Sequence, residues 1–200
     1  MIAVLDYGAG NLRSVANALN ALEVPHEVVQ DAPALRAAGK IILPGVGHFG
    51  QMIRALDALQ VREALLDRIR AGVPFLGVCL GLQALFERSA EAPEAAGLGV
   101  FPGGVRRFQG PERVPHMGWN EITLQTGASP ARLLQGLGPH PFVYFAHSYY
   151  APVTDSACAT CQYGVPFTAA LERGNVFAVQ FHPEKSGSIG QRVLRNFVEF

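Results

Sequence analysis

Three apolar runs, at residues 2–7 (IAVLDY), 40–43 (KIIL) and 75–78 (FLGV), recur along the first eighty residues with helix-period segments between them. Strands without polar alternation are covered on both faces, and strands separated by helices pair in parallel through crossovers. Leu12, Val15, Ala16, Leu19 and Leu22 share one face of a first helix. Met52, Ile53, Leu56 and Leu59 do the same in a later stretch, followed by Val61, Leu65 and Ile69, all expected to face inward. Residues 26–30 read as a further strand, and the strand from Lys40 is expected to stop at Pro44. From Gly97 to about Leu171 short β-like runs separated by Gly and Pro replace this rhythm (GVFPGGVRRF, WNEITL, FVYFAHSYYAPV, CATCQYG) and read as an antiparallel or mixed extension of the sheet. A strand over 176–181 and an amphipathic helix with Ile189, Val193, Leu194, Phe197 and Val198 close the chain. The expectation is one α/β domain over residues 1–200, with a central, largely parallel sheet, helices on both faces and an antiparallel extension.

Composition narrows the function classes. Net charge is zero, and the densest basic cluster, Arg106, Arg107 and Arg113, is too thin to track a phosphate backbone. No apolar run reaches the eighteen or so residues of a membrane span, and the start reads as a strand, not a signal peptide. Three cysteines then point to free thiols in a reducing cytoplasm. Charged residues are only 16% of the chain, which fits either a large interior or a surface covered by a partner.

The segment Phe75-Leu76-Gly77-Val78-Cys79-Leu80-Gly81-Leu82-Gln83 runs an apolar strand directly into a helical pattern, with G-x-C-x-G at the junction. Such a junction forms a nucleophile elbow: strained dihedrals at the central residue, close backbone on both sides, and a side chain exposed at the carboxyl end of a sheet. A thiolate there is favoured by the partial positive charge of the helix N-terminus. Alone, the pattern also fits a buried core cysteine. His182, in Phe181-His182-Pro183-Glu184, supplies a base at a strand end, and extended backbone would aim His182 and Glu184 to the same side. His26, His48, His116 and His140 read as loop or loop-flanking residues without a comparable partner. Cys158-Ala-Thr-Cys161 has the spacing of half a zinc site but lacks a second pair, so no metal or other cofactor is expected. Gly8-Ala9-Gly10 begins like a dinucleotide fingerprint, yet Arg13 stands where the third glycine belongs and Asp31 fits the ribose offset only loosely; a tight turn is the better account.

The elbow GVCLGLQ with the later HPE resembles the class I, triad-type glutamine amidotransferases. DYGAGNLRSV, LPGVGHF, PHMGWN, FAHSYY and HPEKSGSIG narrow the resemblance to the glutaminase subunits of imidazole glycerol phosphate synthases, and it spans nearly the whole chain. It implies a flavodoxin-like α/β fold and hydrolysis of glutamine to ammonia by Cys79, His182 and Glu184. It further implies an oxyanion hole from the Leu80 N–H and the Gly45-Val46-Gly47 strand end, where glycines let backbone approach or flip. Substrate would be held by Gln83, Glu91, Ser148 and Tyr149, although strand alternation alone accounts for the last two. Ammonia would pass to a (β/α)₈-barrel subunit that closes an imidazole ring and releases a purine precursor. Asn11, Trp119 and Tyr144 would lie near that interface; core packing is the alternative for Trp119. The isolated chain would be nearly inactive until ligand on the partner completes the oxyanion hole. Against this stand a stand-alone cysteine amidase, a glutaminase subunit of another synthase, and a non-catalytic module on the same scaffold.

Overall fold

A computed structural model describes residues 1–125 and 131–200. Strands β1 (Ile2–Leu5), β2 (His26–Val29), β3 (Lys40–Gly45), β4 (Phe75–Cys79) and β13 (Val176–Val179) pair in parallel in the order β2–β1–β3–β4–β13. The antiparallel strands β12 (Val165–Arg173), β11 (Ala157–Tyr163) and β8 (Thr123–Leu124) continue the sheet beyond β13. The expected α/β architecture with an antiparallel extension is therefore present. Parallel pairing requires cover on both faces, and alternation along each strand sorts side chains into two cores. Ala3, Leu5, Ile41, Leu43 and Ala178 point toward helices α2 (Ala32–Ala37), α3 (Phe49–Ala58) and α4 (Arg62–Arg70). Ile2, Val4, Ile42, Leu76 and Val179 point toward α1 (Leu12–Ala21) and α6 (Gly187–Glu199).

Several expectations need correction. Strand β3 does not stop at Pro44: Pro44 pairs with Val78 and Gly45 with Cys79. Ile41 donates its N–H toward β4, so the alternation turns Pro44 toward β1, whose pairing with β3 has ended at Ile42. Proline's missing donor is harmless there. Leu59 is exposed because α3 ends at Ala58 and the chain turns away through Gln60 at φ 55°. The last parallel strand ends at Val179, leaving Phe181 and His182 beyond the sheet edge. In the second half only part of the β structure extends the main sheet. Strands β5 (Phe86–Ser89), β6 (Phe101–Arg107) and β10 (Tyr149–Tyr150) form a separate three-stranded sheet, and β7 (His116–Glu121) forms a two-stranded sheet with β9 (Phe142–His147). Each of these smaller sheets runs to the carboxyl end of the parallel strands, where they wall a cavity.

Candidate active site

Strand β4 passes into the short helix α5 (Leu80–Ala84) at Cys79, which takes φ 54° and ψ −104°. A non-glycine residue in that region is strained and persists only where its surroundings fix it. The flanking glycines supply the fixing contact. A Cβ on Gly81 would sit 2.0 Å from the Leu43 carbonyl oxygen, and one on Gly77 would sit 2.6 Å from the Gly81 oxygen. The turn is thus pressed against β3, with Cys79 at the carboxyl edge of the sheet beside the end of that strand, which is where open α/β sheets place their sites.

His182 lies next to Cys79, and its Nδ1 is 2.9 Å from Glu184 Oε1, with both side chains almost fully buried. The pairing does not come from extended alternation: Pro183–Lys185 is a single 3₁₀ turn, and Glu184 folds back over the ring. Asn11 Nδ2 donates to the same carboxylate oxygen at 3.4 Å. The turn is bolted to β9, since the His182 N–H donates to the Tyr144 carbonyl, the Tyr144 N–H to Ser186 Oγ and that hydroxyl to the His182 carbonyl. Burial alone would push the His182 imidazole down. Hydrogen bonding to Cys79 and Glu184, with their charges, outweighs burial and lifts it to about 10. The ring is therefore an imidazolium at neutral pH, as a proton donor to a leaving group must be.

Cys79 and Leu80 open onto a cavity of about 200 Å³. Val46, Gly47, Gln83, Glu91, Ser148 and Tyr149 line it too, so the structure brings together most of the residues singled out in the sequence. Glu91 is anchored by the Phe49 N–H, 2.7 Å from Oε2. Gln83 commits its Nε2 to the Tyr149 carbonyl at 2.8 Å and to Gln180 Oε1 at 3.1 Å. Tyr7, held protonated by burial, donates to the Val46 carbonyl at 3.4 Å. A larger groove of about 440 Å³ between β5 and β6 has neither cysteine nor histidine in its walls. Beside the smaller cavity, Met117, Trp119 and Phe142 form an exposed apolar edge on β7 and β9; Trp119 is 57% exposed, which excludes core packing. Trp119 stands edge-on to Tyr144, over which Lys185 Nζ lies. Asn11, Trp119 and Tyr144 thus gather around the triad's outer side.

Three histidines depart from the sequence reading. His116 flanks a loop as expected, at the start of β7, but it is buried and has a partner: it stands opposite His147 in β9, with Nδ1 3.0 Å from His147 Nε2. His140 also has a partner, Glu121, at 2.6 Å on the surface. His147 shares the buried face of β9 with Val143 and Phe145, a period-two signal visible in FVYFAH. Burial pushes His116 down to about 4 and His147 to about 3. Asp31, the loose match to a ribose site, caps α2 by accepting from the Ala34 N–H. Cys158 and Cys161 are free thiols in β11.

The buried histidines predict an acid limit on stability. Their folded-state values lie below the ordinary 6.5, so below that pH the unfolded chain binds protons the folded chain does not, and stability falls as pH falls. His182 works in the other direction: its raised value stabilises fully below 6.5 and is lost as pH rises through about 10. Between pH 6.5 and 5, most carboxylates stay charged and the limiting slope is about 1.4 kcal/mol per pH unit for each proton. Urea midpoints measured across that window should fall steadily; a flat series would show the two rings are not buried neutral.

The class-I glutamine amidotransferase family model matches residues 3–200. The chain belongs to that family. It also belongs with the HisH subunits of imidazole glycerol phosphate synthase. It is 50% identical to the HisH of Methanothermobacter thermautotrophicus over 200 residues, covering 100% of this chain and 98% of that one. It is 49% identical to the HisH of Deinococcus radiodurans, covering 98% and 92%. Among solved structures, a glutamine amidotransferase superposes with TM-score 0.77 at 22% identity, covering 99% of this chain and 97% of that one. The PurLQS structure from Thermotoga maritima gives TM-score 0.75 at 18% identity, covering 99% and 97%. At those identities the likeness carries the fold. This class-I amidotransferase chain therefore has its strained cysteine and buried His–Glu pair on a scaffold that its family shares.

Proposed function

We propose that this chain is the glutaminase subunit of an imidazole glycerol phosphate synthase, in which Cys79, His182 and Glu184 hydrolyse glutamine. The observation that carries the reading is the buried His182–Glu184 pair set against a cysteine at φ 54° on the wall of the cavity. Full-length identity of half to HisH supports the choice of synthase.

Cys79 Sγ attacks the carboxamide carbon of glutamine, and the carbonyl oxygen takes up negative charge. The Leu80 N–H and an N–H from the Gly45–Gly47 segment stabilise that oxygen, each donor contributing on the order of 10²- to 10³-fold in rate. The C–N bond breaks as His182 delivers its proton to the leaving nitrogen, releasing ammonia and leaving a glutamyl thioester. Water then attacks the thioester while His182 takes its proton, and glutamate departs as the sulfur is freed. Glu184 and Asn11 hold the ring's orientation. Gln83, Ser148 and Tyr149 shape the cradle, and the carboxylate of Glu91 faces the substrate's ammonium group.

Ammonia is delivered to a (β/α)₈-barrel subunit, which uses it to make imidazole glycerol phosphate and AICAR. The exposed Met117–Trp119–Phe142 edge, with Tyr144 and Asn11 beside it, is the face offered to that subunit in a heterodimer. Three unpaired thiols suit a cytoplasmic setting. Glutamine hydrolysis by the purified chain, alone and with a co-expressed barrel subunit plus its nucleotide ligand, tests the assignment. The rate should rise by about 10²-fold with the complete assembly, a coupling of about 3 kcal/mol. Equal rates would leave a stand-alone amidase.

A further inference from the structure

The His116–His147 pair sits in the middle of a directed hydrogen-bond chain. The Tyr149 carbonyl can only accept, so His147, 2.9 Å away through Nδ1, carries its proton on Nδ1. Neutral His147 then presents a lone pair at Nε2, which makes His116 Nδ1 the donor at 3.0 Å. His116 is left with an acceptor at Nε2, and Asn120 Nδ2 lies 3.4 Å from it. The Asn120 amide is oriented by its Oδ1, which accepts from the Glu121 N–H at 2.8 Å. On the inner side, the Tyr149 carbonyl also receives Gln83, which bonds Gln180, whose Nε2 points at Cys79 Sγ from 3.5 Å. Asn120, His116 and His147 each donate one bond inward along this sequence, while the Asn120 amide also donates to the Gln162 carbonyl at 3.3 Å. One end rests beside the exposed Trp119, and the other on the nucleophile.

From this we infer that His116 and His147 are positioning residues for glutamine hydrolysis: a neutral pair, each ring fixed as its Nδ1–H tautomer, that holds the Tyr149 carbonyl and through Gln83 and Gln180 sets the sulfur of Cys79. The inference rests on Cys79 being the nucleophile. It also gives a displacement of β7 at its exposed edge a continuous route to the sulfur. The rings are clamped between aromatic neighbours, with Tyr163 stacked on His116 at 3.9 Å and Phe108 edge-on to His147. Protonating either ring turns its one acceptor, Nε2, into a donor that meets another donor. Tyr163 is the phenol facing the pair from β11, and the charge on His182 further disfavours a charged His147. A purely structural pair would show the same tautomers, but removing its donors from a protein that still folds would leave kcat unchanged.

Two measurements test this on the chain in complex with its barrel partner. Long-range ¹H–¹⁵N spectra of the intact protein should show both rings as Nδ1–H tautomers at pH 7 and still neutral at pH 5.5. An Nε2–H tautomer on either ring overturns the inference. In kinetics, His116→Phe and His147→Phe keep an aromatic ring and remove the donors, and each should lower kcat roughly tenfold or more. His116→Asn and His147→Asn return an amide N–H to the Nδ1 position and should recover most of that loss. Phe variants with wild-type kcat, or Asn variants no better than Phe, also overturn it. If the Phe variants fail to fold, His116→Gln and His147→Gln, whose longer side chain carries its amide to the Nε2 position instead, decide the matter, and wild-type kcat in both would overturn the inference. A Cys79→Ala control separates the two readings. Residual hydrolysis there defeats the triad itself, whereas a dead control with fully active Phe variants defeats only the positioning role.

Discussion

Replacing Cys79 with alanine is expected to abolish glutamine hydrolysis, lowering kcat by on the order of 10⁶-fold, as loss of a nucleophile does in triad enzymes. The substitution removes one sulfur atom and leaves the Cβ, so the strained φ of 54° and the packing of Gly77 and Gly81 against β3 are unchanged. The fold and the exposed Trp119 edge should persist, which makes the loss chemical. The other thiols cannot substitute. Burial pushes Cys161 up to about 12, and burial with the nearby Glu172 carboxylate does the same to Cys158. At pH 8 a thiol of that acidity is thiolate in only about one molecule in 10⁴. Removing the sulfur also removes part of what holds the His182 proton. Its titration should move down from about 10 while Glu184 still supports it, a change ¹⁵N chemical shifts would follow. Hydrolysis persisting in the variant, measured as glutamate release, would end the assignment of Cys79.

How much of this could be read in the sequence follows from how local each signal is. The elbow is written in nine consecutive residues, because an apolar strand, two glycines and a helix start fix one another through adjacent backbone. The base was legible for a similar reason: His182 and Glu184 are two positions apart. The inferred geometry was nevertheless wrong, since Pro183 starts a 3₁₀ turn where extension was assumed. The parallel half of the sheet followed from unbroken apolar runs. The walls of the cavity did not. Whether β6 joins the main sheet or pairs with β5 and β10 depends on contacts between distant segments that no short pattern encodes. His116 and His147 are thirty-one residues apart and meet only through the β7–β9 register. The apolar spacing that put Leu59 inside failed because helix length, not periodicity, decides whether the next position remains on the buried face.

The largest effect on the fold from a small change is expected at Gly190. Alanine has the higher helix propensity by about 1 kcal/mol, and in an open helix it would stabilise. Here a Cβ would stand 1.8 Å from the Pro183 carbonyl oxygen and 2.7 Å from its carbon. Reaching an ordinary 3.4 Å contact requires α6 and the Pro183 turn to part by about 1.6 Å, the difference of 3.4 and 1.8. The obstacle is backbone on both sides, so no side-chain rotation relieves it. Overpacking of this kind costs about 3 kcal/mol or more, which outweighs the propensity gain. The damage also reaches the chemistry, because His182 and Glu184 flank Pro183. Ser186, at the N-terminus of α6, ties that helix to both the His182 carbonyl and the Tyr144 N–H. A displacement near 1 Å at a reacting group costs on the order of 10²-fold in rate. Gly190→Ala should therefore lower both the urea midpoint and kcat. Gly138→Ala should change neither, since a Cβ there meets nothing within 4 Å among the described residues and Gly138 has no left-handed φ. A Gly190→Ala protein with wild-type stability and rate would mean that α6 does not hold the triad turn in place.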